Sequence, residues 1–265
     1  MIILTSPLQD PSKCLKMNQL IISADDFGLT EGVTKGISES ILKGAVTRTS
    51  AMMCTNGFVW IKKYAKGLGG KIGLHLQLTD GIPLLPSEEI SSLVDLDGNF
   101  PKKSNQLGNI ETTEVEKEWE AQVNALLDLG IIPSHIDTHH NVHRFPKVFK
   151  AFCTIAEKYK LPARALSPIM AKKFESMELL ESNYCLEAWC GENVTSTSLI
   201  DYLVNAFQSI GNNGIVELMC HPGYVDKNLE LRSHYLQARE KELAIFLDPQ
   251  LKSLLTKHNI QLIET

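Results

Sequence analysis

The sequence has no long apolar run and no CxxC pair of cysteines. No stretch approaches the ~20 consecutive apolar residues of a membrane-spanning helix. The opening residues 1–4 are too few for the apolar core of a signal peptide and have no basic flank. We therefore expect a cytoplasmic protein that does not bind membranes. The six cysteines are expected to be reduced thiols rather than a disulfide framework, and they are Cys14, Cys54, Cys153, Cys185, Cys190 and Cys220.

The sequence also has no block of basic residues. Its 26 Lys and Arg residues against 31 Asp and Glu give a formal net charge of −5. Nothing supplies the positive field that a phosphate backbone requires, so we expect no nucleic-acid partner. At 265 residues, 43% of them hydrophobic, the chain can bury one core, and this length is common for a single α/β barrel. We predict an N-terminal arm over residues 1–18, with Met17 as a candidate start, and one domain over 19–265.

Short aliphatic runs alternate with amphipathic segments, as in βα units around a parallel sheet. The first unit is the clearest, with a strand over 20–24 and a helix that Thr30 caps and that ends at Gly44. Its apolar face is predicted to contain Val33, Ile37 and Ile41. Further strands are predicted over 47–53, 72–78, 134–139, 163–166 and 215–220, and near 260–263.

A second helix is predicted to open at Thr113, with Glu116 completing a capping box, and to end at Gly130. Its apolar side is predicted to contain Val115, Trp119, Val123, Leu126 and Leu127. The stretch 79–110 before it is rich in Pro, Gly, Ser and Asn and has little periodic pattern. A loop this long inside a compact domain is usually functional, so we expect it to cover or shape a site.

Four polar clusters follow predicted strands: Asp25-Asp26, His75 with Gln77, the run 135–143, and His221. The carboxyl ends of parallel strands meet on one side of the fold, so these clusters can converge. Strand alternation places residues of three of these clusters on shared faces. The aligned sets are His75 and Gln77; His135, Asp137 and His139; and Glu217, Met219 and His221.

The clusters contain ligand types that suit a metal ion. Two adjacent carboxylates, Asp25 and Asp26, are costly to bury without a cation. Carboxylate and imidazole ligands bind a divalent ion and leave room for water. Two imidazoles favour Zn²⁺, Fe²⁺, Mn²⁺ or Co²⁺, whereas water-rich coordination admits Mg²⁺, so the ligand set does not choose the metal. The alternative is that Asp26 caps the following helix and the histidine run is a solvated loop.

The residues 24–28, 73–75, 135–143 and 217–222 resemble the motifs of the YdjC-like carbohydrate deacetylases, a group that includes chitooligosaccharide deacetylases. The resemblance runs from about residue 17 to the C-terminus. It implies an α/β fold, namely a distorted (β/α) barrel of the glycoside hydrolase/deacetylase type. It further implies removal of acetyl groups from N-acetylated amino sugars, dependence on Mg²⁺, and a homodimer.

The positions that match the family motifs imply roles for individual residues. The implied metal ligands are Asp26, His75 and His139. Asp25 would be the general base, by similarity to the first aspartate of the pair in the related NodB-type polysaccharide deacetylases. His221 would be the general acid.

Arg164 matches an arginine that those enzymes follow with Ala-Asp, whereas Ala165 and Leu166 follow it here. Whether Arg164 orients the base is therefore left open, and we place it with the substrate-binding residues. Sugars bind against flat apolar surfaces, and Phe27 and Tyr224 adjoin the motifs, so both are assigned to substrate binding. Weaker aromatic candidates are Phe145, Trp60 and Trp189.

The reaction implied by the resemblance is hydrolysis of an acetamide on a substrate such as diacetylchitobiose, with release of acetate. One alternative is a metal-dependent hydrolase of another substrate, such as a phosphoester or a different amide. The motifs contain almost no Arg or Lys, which counts against phosphate chemistry. Another alternative is a non-catalytic sugar-binding protein on the same scaffold. Competent residues at every proposed catalytic position count against that one.

Overall fold

A computed structural model of the protein describes residues 17–191, 194–210 and 214–263. In these residues one parallel sheet contains seven strands, which are β1 (Asn18–Phe27), β2 (Arg48–Ala51), β3 (Ile72–Leu76), β4 (Ile136–Thr138), β5 (Tyr184–Leu186), β6 (Ile215–Cys220) and β7 (Ile260–Leu262). Their order is β4-β3-β2-β1-β6-β5, and β7 pairs with the first residues of β1. Every pairing is parallel.

The sheet curls into a half-barrel flanked by helices, so the expected distorted (β/α) barrel is confirmed. Within the same residues the α-helices are α1 (Glu31–Lys43), α2 (Phe58–Tyr64), α3 (Thr112–Asp128), α4 (Pro146–Tyr159), α5 (Pro168–Ser176), α6 (Ser196–Ser209), α7 (Lys227–Glu230), α8 (Gln237–Leu247) and α9 (Gln250–Lys257). None of these helices is long and apolar enough to cross a membrane.

The two faces of the sheet differ in polarity. In β1, Leu20, Ile22 and Ala24 belong to the hydrophobic core, whereas the alternating residues Ser23 and Asp25 are buried but polar. Neighbouring strands add further buried charges to the polar side, including Arg48 of β2 and Glu217 of β6. The candidate site lies on this polar side, at the carboxyl ends of the strands.

The first βα unit agrees with its prediction. Thr30 Oγ1 accepts a hydrogen bond from the backbone N–H of Val33, and Gly44 follows the last residue of α1. The start of α3 was predicted to within one residue, because the helix begins at Thr112, but its predicted cap was wrong, because Glu111 precedes the helix without a side-chain cap. No capping box forms at Thr113. Leu127 is 39% exposed and is not part of the apolar side of α3.

The predicted strand over 163–166 is reduced to a single bridge between Ala163 and Ile136. The chain then turns away, because Ser167 caps α5 with its side chain. Strand β5 was not predicted. At the N-terminus, Asn18 belongs to β1 rather than to the predicted arm, and residues 1–16 of that arm lie outside the described residues. The cysteines of the described part are all unpaired, and Cys14 lies outside it.

Candidate metal centre and active site

The three predicted metal ligands lie together at the carboxyl ends of β1, β3 and β4. Asp26 Oδ1 is 3.5 Å from His75 Nε2 and 3.2 Å from His139 Nδ1, and the two imidazole nitrogens are 3.3 Å apart. One potential ligand atom from each residue lies within 4.8 Å of the other two, and all three residues are buried. The predicted set is thus a compact cluster.

Irregular backbone turns these side chains toward each other. The register of β1 against β2 shifts between Ala24 and Phe27, and Asp26 has a φ of 73°. After β4 the chain enters a 3₁₀ helix in which His140 and Asn141 have φ values of 55° and 49°. Left-handed conformations are unfavourable for non-glycine residues, and such strain is concentrated at functional sites.

The cluster suits a divalent cation. Asp26 Oδ1 and His139 Nε2 are buried and have no hydrogen-bond partner among the described residues. Burial opposes ionisation of Asp26, but Arg239 and the two histidines outweigh it and hold its pKa well below the ordinary value. A buried carboxylate oxygen that faces two imidazole nitrogens is costly unless a cation satisfies it. One carboxylate and two imidazoles form a ligand set that leaves positions for water.

His75 is oriented by a second carboxylate. Its Nδ1 lies 2.6 Å from Asp137 Oδ1, and Ser50 Oγ donates to Asp137 Oδ2 at 3.0 Å. Despite burial, nearby positive groups, first among them Arg164, lower the pKa of Asp137. Asp137 is therefore an acceptor, Nδ1 of His75 carries the proton, and Nε2 points to the cluster. This arrangement is typical of histidines that bind metals.

Asp25, the predicted base, lies beside the cluster and is held by Arg164. Nη1 and Nη2 of Arg164 each donate to one oxygen of Asp25 at 2.7 Å, and Nε donates to Glu217 at 2.9 Å. Burial is the main reason that the pKa of Asp25 is raised. Arg164 is only 1% exposed, so the assignment of this residue to substrate binding is corrected. Its buried guanidinium group orients Asp25.

His221, the predicted acid, lies in the wall of the same cavity and is held by α8. Its backbone N–H donates to Glu242, and its ring lies 5.6 Å from the ring of Tyr235. Burial is the main cause that lowers the pKa of His221 to about 3, so the ring is neutral near pH 7.

A cavity of about 970 Å³ opens over the cluster. The loop 79–110 contributes to its wall, which confirms that this loop shapes the site. The residues from this loop are Asp80, Lys102, Lys103, Ser104 and Asn105. A second segment of the wall includes Arg232, Ser233, His234, Tyr235 and Arg239.

The two predicted aromatic platforms lie elsewhere. Phe27 is 0% exposed and packs in the hydrophobic core. Tyr224 donates its hydroxyl to Glu39 at 2.8 Å and lies outside the lining of the cavity. Adjacency to a motif was the only basis for both assignments, and it does not determine which way a ring points. Tyr235, which was not predicted, lines the cavity.

Arg239 and Glu242 were also missed. Both are buried, although they lie in the charged run Arg239-Glu240-Lys241-Glu242 of α8. A charged run on a helix ordinarily indicates a solvated face. The sequence carries no signal that would have separated these two from the exposed charges beside them.

The fold and the cluster together define a (β/α)-barrel enzyme of the deacetylase type, as comparison with known proteins shows. The model of the YdjC-like protein family matches residues 19–257, and the chain belongs to this family. Curated relatives named carbohydrate deacetylase include those of Geobacillus stearothermophilus and Clostridium beijerinckii. The first is 33% identical over 246 residues, covering 92% of this chain and 95% of the relative. The second is 34% identical over 255 residues, covering 92% and 98%.

A solved structure agrees with this membership. An Enterococcus faecalis V583 protein, to which cellobiose-phosphate cleavage has been ascribed, superposes with a TM-score of 0.83 at 31% identity, covering 93% of this chain and 97% of that one. The resemblance predicted from the motifs is confirmed, and so is the prediction of a hydrolase of the deacetylase type.

Proposed function

We propose that the chain is a metal-dependent hydrolase that removes N-acetyl groups from acetylated amino sugars such as chitooligosaccharides and releases acetate. The observation that carries this proposal is the buried cluster of Asp26, His75 and His139 beside Asp25, at the base of a cavity of about 970 Å³. A cavity of this size suits a small oligosaccharide. The relatives named carbohydrate deacetylase support the same reaction.

Asp26, His75 and His139 would hold the metal. Family resemblance favours Mg²⁺, with Zn²⁺, Mn²⁺ and Co²⁺ as alternatives. Bound there, a divalent ion supplies Lewis acidity toward water and an acyl oxygen.

Asp25 acts as the base that takes a proton from the attacking water. Arg164 fixes its two oxygens. The raised pKa of Asp25 makes it a stronger base, because a general base works best when its pKa lies near the pH of the reaction. His221 delivers a proton to the leaving nitrogen. Because its ring is neutral at rest, His221 must first take up a proton from solvent, and Asp25 returns the proton of the attacking water to solvent at the end of the cycle.

Acetate release from diacetylchitobiose, measured after chelation and after addition of each metal, tests this function. We expect no turnover in the chelated enzyme, recovery with the correct ion, and loss of both metal binding and turnover in Asp26→Ala and His139→Ala. His258→Ala, a change to an exposed histidine, is the matched control. Full metal binding and turnover in either cluster variant would show that the site is wrongly assigned.

A second candidate function is hydrolysis of a phosphorylated sugar. The motifs contain almost no basic residues, but the cavity wall adds Lys102, Lys103 and Arg232 from outside them. Asp80 pairs with Lys102 at 3.0 Å and with Arg232 at 3.4 Å, which offsets part of this charge. Phosphate release from p-nitrophenyl phosphate at a higher rate than acetate release from diacetylchitobiose would favour this candidate. Tight binding of diacetylchitobiose without any release of acetate would favour a non-catalytic sugar-binding protein.

The family resemblance also supports the proposal of a homodimer. A single domain from residue 19 onward and a cytoplasmic location are proposed from the sequence alone. Light scattering coupled to gel filtration tests the dimer. A mass of one chain, 29.5 kDa, at micromolar concentration would contradict it.

A further inference from the structure

The two carboxylate oxygens of Asp26 have different surroundings. Oδ1 faces the two imidazoles and has no hydrogen-bond partner among the described residues. Oδ2 accepts a hydrogen bond from Arg239 Nη2 at 2.6 Å. This guanidinium group therefore leaves one oxygen of Asp26 for a cation.

Arg239 is itself fixed in place. It is 4% exposed, and its other nitrogens donate to backbone carbonyls, Nε to Tyr235 at 3.2 Å and Nη1 to His221 at 3.4 Å. Its own backbone carbonyl accepts from Gly223 at 3.2 Å. Because Nε and Nη1 are anchored independently of Asp26, Arg239 has little freedom to release Oδ2 when a cation binds.

We propose that Arg239 is a positioning residue that limits Asp26 to one free oxygen and thereby selects small divalent ions over Ca²⁺. The inference rests on the metal cluster of the proposed function. Ca²⁺ takes six to eight oxygen ligands and often uses both oxygens of a carboxylate, whereas Mg²⁺ requires a compact octahedron and keeps several waters. Blocking Oδ2 removes an oxygen that a larger ion would use.

The test is competition between Mn²⁺ and Ca²⁺ in the full-length protein, with free Mn²⁺ measured by electron paramagnetic resonance. Removing the positive charge of Arg239 changes the attraction for both ions alike, so the ratio of the two Kd values isolates access to Oδ2. We expect Arg239→Met to shift this ratio toward Ca²⁺ by about tenfold. Arg239→Lys keeps a charged donor and stays near the wild-type ratio. Arg232→Met, which removes another arginine of the cavity wall, leaves the ratio unchanged.

An unchanged ratio in Arg239→Met, with Mn²⁺ still bound, overturns the role of Arg239 and leaves the metal cluster standing. Absence of Mn²⁺ binding in the wild-type protein overturns the cluster and this inference together. If Arg239→Met does not fold, Arg239→Gln provides the same measurement, because its shorter side chain cannot reach Asp26 from α8. The same tenfold shift is expected there, and an unchanged ratio overturns the proposal equally.

Discussion

Asp137 illustrates how one residue outside the metal cluster can set the properties of that cluster. It accepts a hydrogen bond from Nδ1 of His75 at 2.6 Å and so directs Nε2 toward Asp26. Asp137→Asn keeps the shape but removes the charge, and replacing the carboxylate that orients a metal-binding histidine lowers metal affinity by roughly 10–100-fold. We expect such a loss for Mn²⁺, measured by calorimetry. Asp128→Asn, at an exposed position, should bind Mn²⁺ like the wild type, and equal affinities in both variants would contradict the role of Asp137.

We expect the protonation of His75 to make metal binding at the proposed site depend on pH. Burial opposes protonation, but Asp137 and Asp25 outweigh it and raise the pKa of His75 to about 10. Below that pH the metal-free protein holds a proton that the ion must displace. Metal affinity is therefore lowest at acid pH and rises as pH increases toward 10. We expect release of about one proton per ion at pH 7.

Calorimetry in buffers of different ionisation enthalpy measures this release. A binding enthalpy that is the same in all buffers would mean that His75 is already neutral in the metal-free protein. The predicted rise of metal affinity with pH would then be contradicted.

At the scale of elements, α3 anchors the loop 79–110 that forms one wall of the cavity. Glu118 is buried and accepts hydrogen bonds from the backbone N–H groups of Leu84 at 3.1 Å and Leu85 at 3.0 Å. In Glu118→Gln one of these groups loses its acceptor, which costs about 1–3 kcal/mol. We expect that loss in the free energy of unfolding, measured with urea, together with a higher KM because the loop is less well held.

Glu120→Gln on the same helix is the control. It breaks only the exposed pair with Lys158, so its effect should stay within about 0.5 kcal/mol. Equal destabilisation by the two variants would argue against a special role of Glu118.

The elements that could be predicted from sequence are those with a strong local pattern. The start and end of α1 follow from Thr30 and Gly44, and the longer strands follow from their apolar runs. The three-residue strand β5 is too short to show a period. The segment 163–166 has strand-like residues, but it forms only one bridge because the chain turns into α5 directly after it.

The convergence of Asp26, His75 and His139 could be predicted, because all three residues lie at or just after the carboxyl ends of strands. Strand direction alone brings such residues to one edge of the sheet. Arg239 and Glu242 could not be predicted, because their role depends on how α8 packs over the site. Phe27 was misassigned because the bulge after Ala24 determines which way the ring points.

At the scale of the whole molecule, the cluster joins parts of the chain that are distant in sequence. Asp26 comes from β1, His75 from β3, and His139 from the segment after β4, so an ion held by all three links separate βα units. An ion that binds only the folded state stabilises it by about 2.7 kcal/mol at a concentration of 100 times its Kd. For a protein of this size that corresponds to a rise in Tm of roughly 5–10 °C. We expect this rise when Mg²⁺ or Mn²⁺ is added to chelated protein, measured by calorimetry, and no rise in Asp26→Ala. The same rise in Asp26→Ala would mean that the stabilising ion binds elsewhere on the molecule.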